Sequence, residues 1–148
     1  MATNYKTIIL ALELITKSDR PLIEKAQYMA SKTGAKIILV HAIEHIGSYS
    51  ASSYGISSIE PEIENLLFER AKKEMEKIGK KLNIPKKNQI INIGSAKFVV
   101  LEETEKAKAD LIIIGSRGHS GIRFLIGSTA NAVLYGAKCD VLAIRIKT

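Results

Sequence analysis

The hydrophobic pattern changes period repeatedly along the chain, and the order of the changes is more informative than any single segment. Thr7-Ile8-Ile9-Leu10-Ala11-Leu12 is a continuous, almost wholly apolar run of strand length, as expected of a strand covered on both faces in a parallel sheet. Ser18 or Asp19 then offers an N-cap, and Pro21 suits a first helical turn. Leu22, Ala26, Met29 and Ala30 recur at helical spacing until Gly34 stops the helix. Ile37-Ile38-Leu39-Val40 predicts a second buried strand. From Glu60, Ile63, Leu66, Leu67, Ala71, Met75, Ile78 and Leu82 mark one face of a long amphipathic helix. Gln89 to Ile93 predicts a short strand, Ser95 to Ala107 a helix with Ser95 as its cap, and Asp110 to Ile114 a fourth strand ending at Gly115. Gly127-Ser128-Thr129 opens a helix through Tyr135, and Asp140 to Ile144 is a fifth strand.

Strands alternating with helices predict an α/β fold with an open parallel sheet, doubly wound because such crossovers are right-handed. The five rounds consume the 148 residues, so residues 1–148 are expected to form one domain. With strand order 3-2-1-4-5, the point where the order reverses lies between strands one and four. A ligand belongs there, beyond the carboxyl ends of the strands. The segments leaving those strands are Glu13-Leu14-Ile15-Thr16 and Gly115-Ser116-Arg117-Gly118-His119-Ser120-Gly121.

In the second segment, glycines at steps of three let backbone N–H groups approach a ligand, as in an anion nest. Six residues beyond Gly121, Gly127-Ser128-Thr129 begins a helix whose unpaired N–H groups and dipole favour an anion. Ser128 and Thr129 add hydroxyl donors, and Arg117 and Arg123 add charge. The alternative is that Gly118 and Gly121 serve a surface turn and Ser128 merely caps a helix. The place after strand four, the loop length and the basic residues together favour phosphate. No G-x-x-x-x-G-K-[ST] is present, since the only Gly-Lys is at Gly79, and no G-x-G-x-x-G follows strand one.

Charge changes this picture little. The balance of 22 Lys+Arg against 15 Asp+Glu gives +7, which invites nucleic acid or an anionic ligand. The excess, however, sits in Glu69 to Lys87, with eight basic and three acidic residues. Lys72, Lys73, Lys77, Lys80 and Lys81 fall mostly on the outer face of the long helix, with i,i+4 partners such as Glu69–Lys73 and Glu76–Lys80. No aromatic side chain interleaves with them, so no nucleic-acid partner is expected. The only cysteine, Cys139, excludes an internal disulfide and is expected to be a buried small hydrophobe. Ile8 to Leu12 is too short for membrane insertion. A cytoplasmic setting is the expectation.

His41 is expected to be a hydrogen-bonded strand residue. His45 and His119 lie in loops, and no spacing suggests zinc. Glu13 could hold Mg²⁺ beside a bound phosphate. No G-x-S-x-G occurs, and Ser116 and Ser120 have no base in the motif, so no catalytic residue is assigned; slow cleavage of a bound phosphate ester by water stays open. His45 to Ile59, with six Ser, two Gly and two Tyr, is a long loop leaving from the edge of the proposed site. It reads equally as a mobile lid or as an ordinary loop.

Gly115-x2-Gly118, a gap, Gly127-Ser128, then Thr-Ala-Asn-Ala-Val and a Cys-Asp-Val-Leu-Ala-Ile-Arg ending resemble the universal stress protein A family over the whole chain. The resemblance implies the Rossmann-like fold of the adenine nucleotide alpha hydrolases, with ATP at the crevice. Ala11 and Glu13 would lie against adenine and ribose, and the backbone of Ala42 would read the adenine edge. Ile114, Gly115, Ser116, Arg117 and Gly118 would flank ribose and phosphates, with Gly127, Ser128 and Thr129 holding the phosphates. Eight residues separate Gly118 from Gly127, one fewer than the family's nucleotide binders have, and Glu13 stands where they usually carry Asp. The resemblance also implies a homodimer through residues 141–146 and a regulatory role in the stress response, with a protein partner unknown. The other functions left open are a nucleotide-free dimeric interaction protein of the same fold and a weak ATPase.

Overall fold

The strand formed by Thr7–Ala11 (β1) is buried along its whole length, with Ile8, Ile9 and Leu10 fully inaccessible. The computed structural model describes residues 4–44, 61–117 and 127–146. β1 is flanked by β2 (Lys36–Ile43), with β3 (Gln89–Ile93) outside it, and on the other side by β4 (Leu111–Ser116) and β5 (Asp140–Arg145). The order is β3-β2-β1-β4-β5, every pairing is parallel, and the expected doubly wound α/β sheet is observed. Leu10 stands opposite both Leu39 and Ile113, and Ile9 opposite Ile38 and Ile112. Burying one such side chain stabilises the fold by roughly 1.5–3 kcal/mol, so the central strands dominate the packing energy.

Successive residues of β1 face opposite ways. Ile8, Leu10 and Leu12 pack with Leu22, Ile23 and Ala26 of α1 (Thr16–Thr33) and Met75 of α2 (Pro61–Leu82). Ile9 and Ala11 pack with Val99 and Val100 of α3 (Ala96–Ala107) and Ala130 and Val133 of α4 (Ser128–Gly136). Two helices therefore cover each face. At the amino end of the sheet, one oxygen of Asp110 accepts the N–H groups of Lys6 and Thr7, both at 2.8 Å. There too the Tyr5 hydroxyl donates to Asp140 at 2.6 Å.

Helix termini depart from expectation in two places. Ile15, not Ser18 or Asp19, occupies the N-cap of α1 and makes no side-chain cap bond; Ser18 and Asp19 lie buried inside the first turn, and Pro21 lies within the helix. The cause is Asp19, whose carboxylate turns back to the loop before the helix instead of capping ahead. Ser95 is at the N-cap of α3, yet its buried hydroxyl has no partner among the described residues. Glu44 accepts the Ala96 N–H instead, at 3.1 Å. β2 also runs three residues further than its apolar core, through His41 and Ala42 to Ile43.

The lysines of α2 are exposed as expected, while Ala71, Met75 and Gly79 face inward. Lys77 pairs with Glu74 at 3.1 Å, in place of the i,i+4 partners that spacing suggested. Cys139 is half-buried instead of buried, and desolvation pushes its thiol up, away from thiolate reactivity. No helix among the described residues is long and apolar enough to cross a membrane. The loop 45–59 lies outside the described residues.

α1 ends at Gly34, in left-handed backbone at φ 75, whose N–H bonds the Ala30 carbonyl at 2.8 Å. Nothing lies within 4 Å of a Cβ built there, so substitution costs only backbone strain. Gly34→Ala is expected to lower stability by about 1 kcal/mol and Gly34→Asn by less, because Asn tolerates this region. Urea unfolding of the two variants checks this.

Candidate functional site

β1 and β4 are neighbours, but the chain leaving β1 enters α1 on one face while α4, which follows β4, lies on the other. The crevice between the two exits is where side chains from both segments meet. On the β1 side, the Leu12 N–H donates to the Val40 carbonyl at 2.9 Å. The Leu12 carbonyl in turn lies 2.8 Å from Nδ1 of His41. A carbonyl only accepts, so Nδ1 carries the proton, and His41 is the hydrogen-bonded strand residue expected of it. Leu14 then adopts left-handed backbone at φ 61.

Glu13 projects from this turn to Arg117. Its Oε2 accepts from Nη2 at 2.7 Å and its Oε1 from Nε at 3.3 Å, a two-point contact. Arg117 Nη2 also donates to the Ser18 hydroxyl in α1. The Glu13 carboxylate raises the Arg117 pKa further, keeping it cationic. Both side chains are about two-fifths exposed, 40% and 43%. Such a pair adds little stability, so its importance is positional.

On the β4 side, the Gly127 N–H points to the Ser116 hydroxyl at 3.4 Å. A Cβ on Gly127 would lie 2.9 Å from the Arg117 carbonyl oxygen and 3.1 Å from its nitrogen. The start of α4 therefore rests against the Arg117 main chain, a distance that only glycine permits. A Cβ on Gly115 would meet the end of the Ile146 side chain, which has to turn aside to make room.

A cleft of about 650 Å³ opens at this end, with Glu13, Ala42, Glu44, Arg70 and Thr129 in its wall. Glu13, Ala42 and Thr129 thus share one cavity, and Arg117 joins it through Glu13. Ala11, Ile114 and Ser116 are buried, whereas Gly115 is partly buried in β4 and Ser128 is exposed at the start of α4. Gly118, His119, Ser120, Gly121, Arg123 and His45 lie outside the described residues.

A family model described as the universal stress protein family matches residues 4–145. The chain belongs to the universal stress protein family. It is 51% identical over 144 residues to universal stress protein A homolog 2 of Coxiella burnetii (strain RSA 493 / Nine Mile phase I), covering 97% of each chain. Among solved structures, hypothetical protein MJ0577 superimposes with a TM-score of 0.77 at 25% identity, covering 99% of both chains. A universal stress protein in complex with cAMP does so with a TM-score of 0.64 at 22% identity, covering 98% of this chain and 100% of that one.

Residue patterning in this universal stress protein did not single out Glu44 or Arg70 as cleft residues, or Asp19 as anything but a helix cap. One acid after a strand and one arginine among many basic residues carry no signal; a carboxylate next to a serine at a helix start reads as a cap. Asp19 is in fact 2% exposed. Its Oδ1 accepts the Glu13 N–H at 3.0 Å, and Oδ2 has no partner among the described residues. Burial pushes its carboxyl up from the ordinary range, opposed by the N–H groups of Glu13, Leu14 and Ile15, with the nearby Glu13 charge adding to the rise.

The folded protein thus holds the Asp19 proton more tightly than the unfolded chain. This contribution to stability is present at acid pH and is lost as pH rises through the elevated pKa. Asp19→Asn removes that dependence while keeping a carbonyl acceptor. The stability difference between wild type and variant is expected to move in favour of Asp19→Asn as pH rises from acid to neutral, as measured by urea unfolding across a pH series.

Proposed function

We propose that this universal stress protein binds ATP in the crevice between the exits of β1 and β4, and that the bound nucleotide sets a conformation sensed by a regulatory partner. The observation that carries the reading is the contact of Gly127 with the Arg117 main chain, which sets the helix start at Ser128 and Thr129 against the end of β4. A helix N-terminus with two hydroxyls suits phosphate oxygens, and the Arg117 guanidinium, held by Glu13 and Ser18 across the crevice, adds positive charge. Ala42 in the cleft wall suits the adenine edge through its backbone, and Glu13 suits ribose hydroxyls. Ala11, Ile114, Gly115 and Ser116 form the strand ends beneath, and Gly118 completes the motif. The cAMP complex of a structural neighbour is in keeping with nucleotide chemistry on this fold.

Magnesium at Glu13 would have to share the carboxylate with Arg117, which engages both of its oxygens and already neutralises its charge. The phosphate charge is therefore assigned to Arg117 and the α4 start, and no step is routed through a metal. The whole chain is read as one universal stress protein domain. A reduced, cytoplasmic setting agrees with its single cysteine. β5 is the outermost strand beside β4. An open strand edge invites pairing, and a second copy meeting it through residues 141–146 gives the homodimer.

Purified protein is expected to release an adenine nucleotide on acid treatment and to give titration heat with Mg-ATP. Removing the hydroxyls together in Ser128→Ala/Thr129→Ala is expected to weaken binding at least tenfold, since a hydrogen bond to a charged group is worth about 1.5–3 kcal/mol. Absence of both nucleotide and heat would leave a nucleotide-free interaction protein. Conversion of bound ATP to ADP over hours would make it a weak ATPase. For the dimer, Ala143→Pro is expected to sediment as a monomer with its helical signal intact; a persisting dimer would contradict pairing through β5.

A further inference from the structure

A carboxylate at 2% exposure with one oxygen unpartnered among the described residues is an expensive group to keep. A fold seeking only stability would hold Asn or an apolar side chain there. Asp19 is not repaid as a helix cap either, because it is the fourth residue of α1 and Ile15 takes the cap position. Its carboxylate faces backwards, bonds the Glu13 N–H at 3.0 Å, and has the N–H groups of Leu14 and Ile15 turned towards it. The turn it grips contains Leu14 at φ 61, a conformation that L side chains rarely adopt. Such backbone persists only when its surroundings over-determine it.

The residue before Asp19 completes the device. Ser18 meets Nη2 of Arg117, so one turn of α1 holds the main chain of Glu13 and the side chain of Arg117 through adjacent residues. The Glu13–Arg117 pair is itself half-open to solvent and cannot impose its own geometry. We propose that Asp19 is a positioning residue: by anchoring the Glu13 main chain it sets the reach of the Glu13 carboxylate to Arg117, and hence to the ligand at the crevice. The ligand part of this inference rests on the nucleotide reading above, whereas the part concerning Arg117 does not.

The test uses the full chain and reads two quantities. The first is the Arg117 Nε–H resonance of labelled protein without nucleotide. Glu13→Gln is expected to move it out of its ion-paired position, Asp19→Ala to move it in the same way, and Asp19→Asn, which retains a carbonyl acceptor, to restore most of the wild-type position. The second is Mg-ATP affinity in a double-mutant cycle. Asp19→Ala is expected to weaken binding about tenfold when Glu13 is present, and to add little in the Glu13→Gln background, because both changes remove one interaction. Losses that multiply would mean a merely structural Asp19 and would overturn the proposal. An Arg117 signal unmoved in Asp19→Ala overturns it as well. Should Asp19→Ala not fold, Asp19→Ser, which lacks the reach of the carboxylate, takes its place in both measurements. A wild type that binds no nucleotide defeats the nucleotide reading alone, and the Arg117 signal then decides the role of Asp19.

Discussion

Two neighbouring strands that send their chains to opposite faces must leave a gap between their exits, and the carboxyl end of this sheet is organised around holding that gap in shape. The right-handed crossovers and the order β3-β2-β1-β4-β5 make it unavoidable between β1 and β4. Packing cannot close it, because the apolar side chains belong to the two faces of the sheet. Directional contacts do so instead. Arg117 reaches across to Glu13 and Ser18 at the start of the opposite-face helix, and Gly127 brings the far end of the following segment back onto Arg117.

Most of the fold was legible because each strand is an apolar run with its own boundary: Gly34 before β2, Gly115 near the end of β4, Asp140 at the start of β5. A strand covered on both faces needs no alternation, so the runs in β1 and β4 stand out from the amphipathic helices. What patterning missed is what three dimensions decide. Ser18 and Asp19 read as caps because the types are right; that their side chains point backwards depends on a turn at Leu14 that nothing in leucine announces. Glu13 and Arg117 were each assigned to the crevice for a separate reason. Their pairing needs the relative height of two strands separated by a hundred residues, which spacing along the chain does not encode.

Net charge proved a poor guide to local charge. The protein carries +7, yet the charged residues lining the described part of the cleft are Glu13, Glu44, Glu74 and Arg70. The surplus resides on the outer face of α2, in contact with solvent. An anion arriving at the cleft therefore meets carboxylates at the β1–β2 side and donors at the α4 side. The proposed nucleotide, with hydroxyls at one end and phosphate at the other, would match that polarity.

At the opposite end of the sheet, Asp110 clasps the two residues where β1 begins, and Tyr5 reaches over to Asp140 at the head of β5. Three strands are thereby registered to one another from the edge furthest from the crevice. Alignment of β1, β4 and β5 is therefore held at the amino end, away from the connections at the carboxyl end. The eight residues between Gly118 and Gly127 can thus differ in number from the family's nucleotide binders without touching the contacts that register β1, β4 and β5.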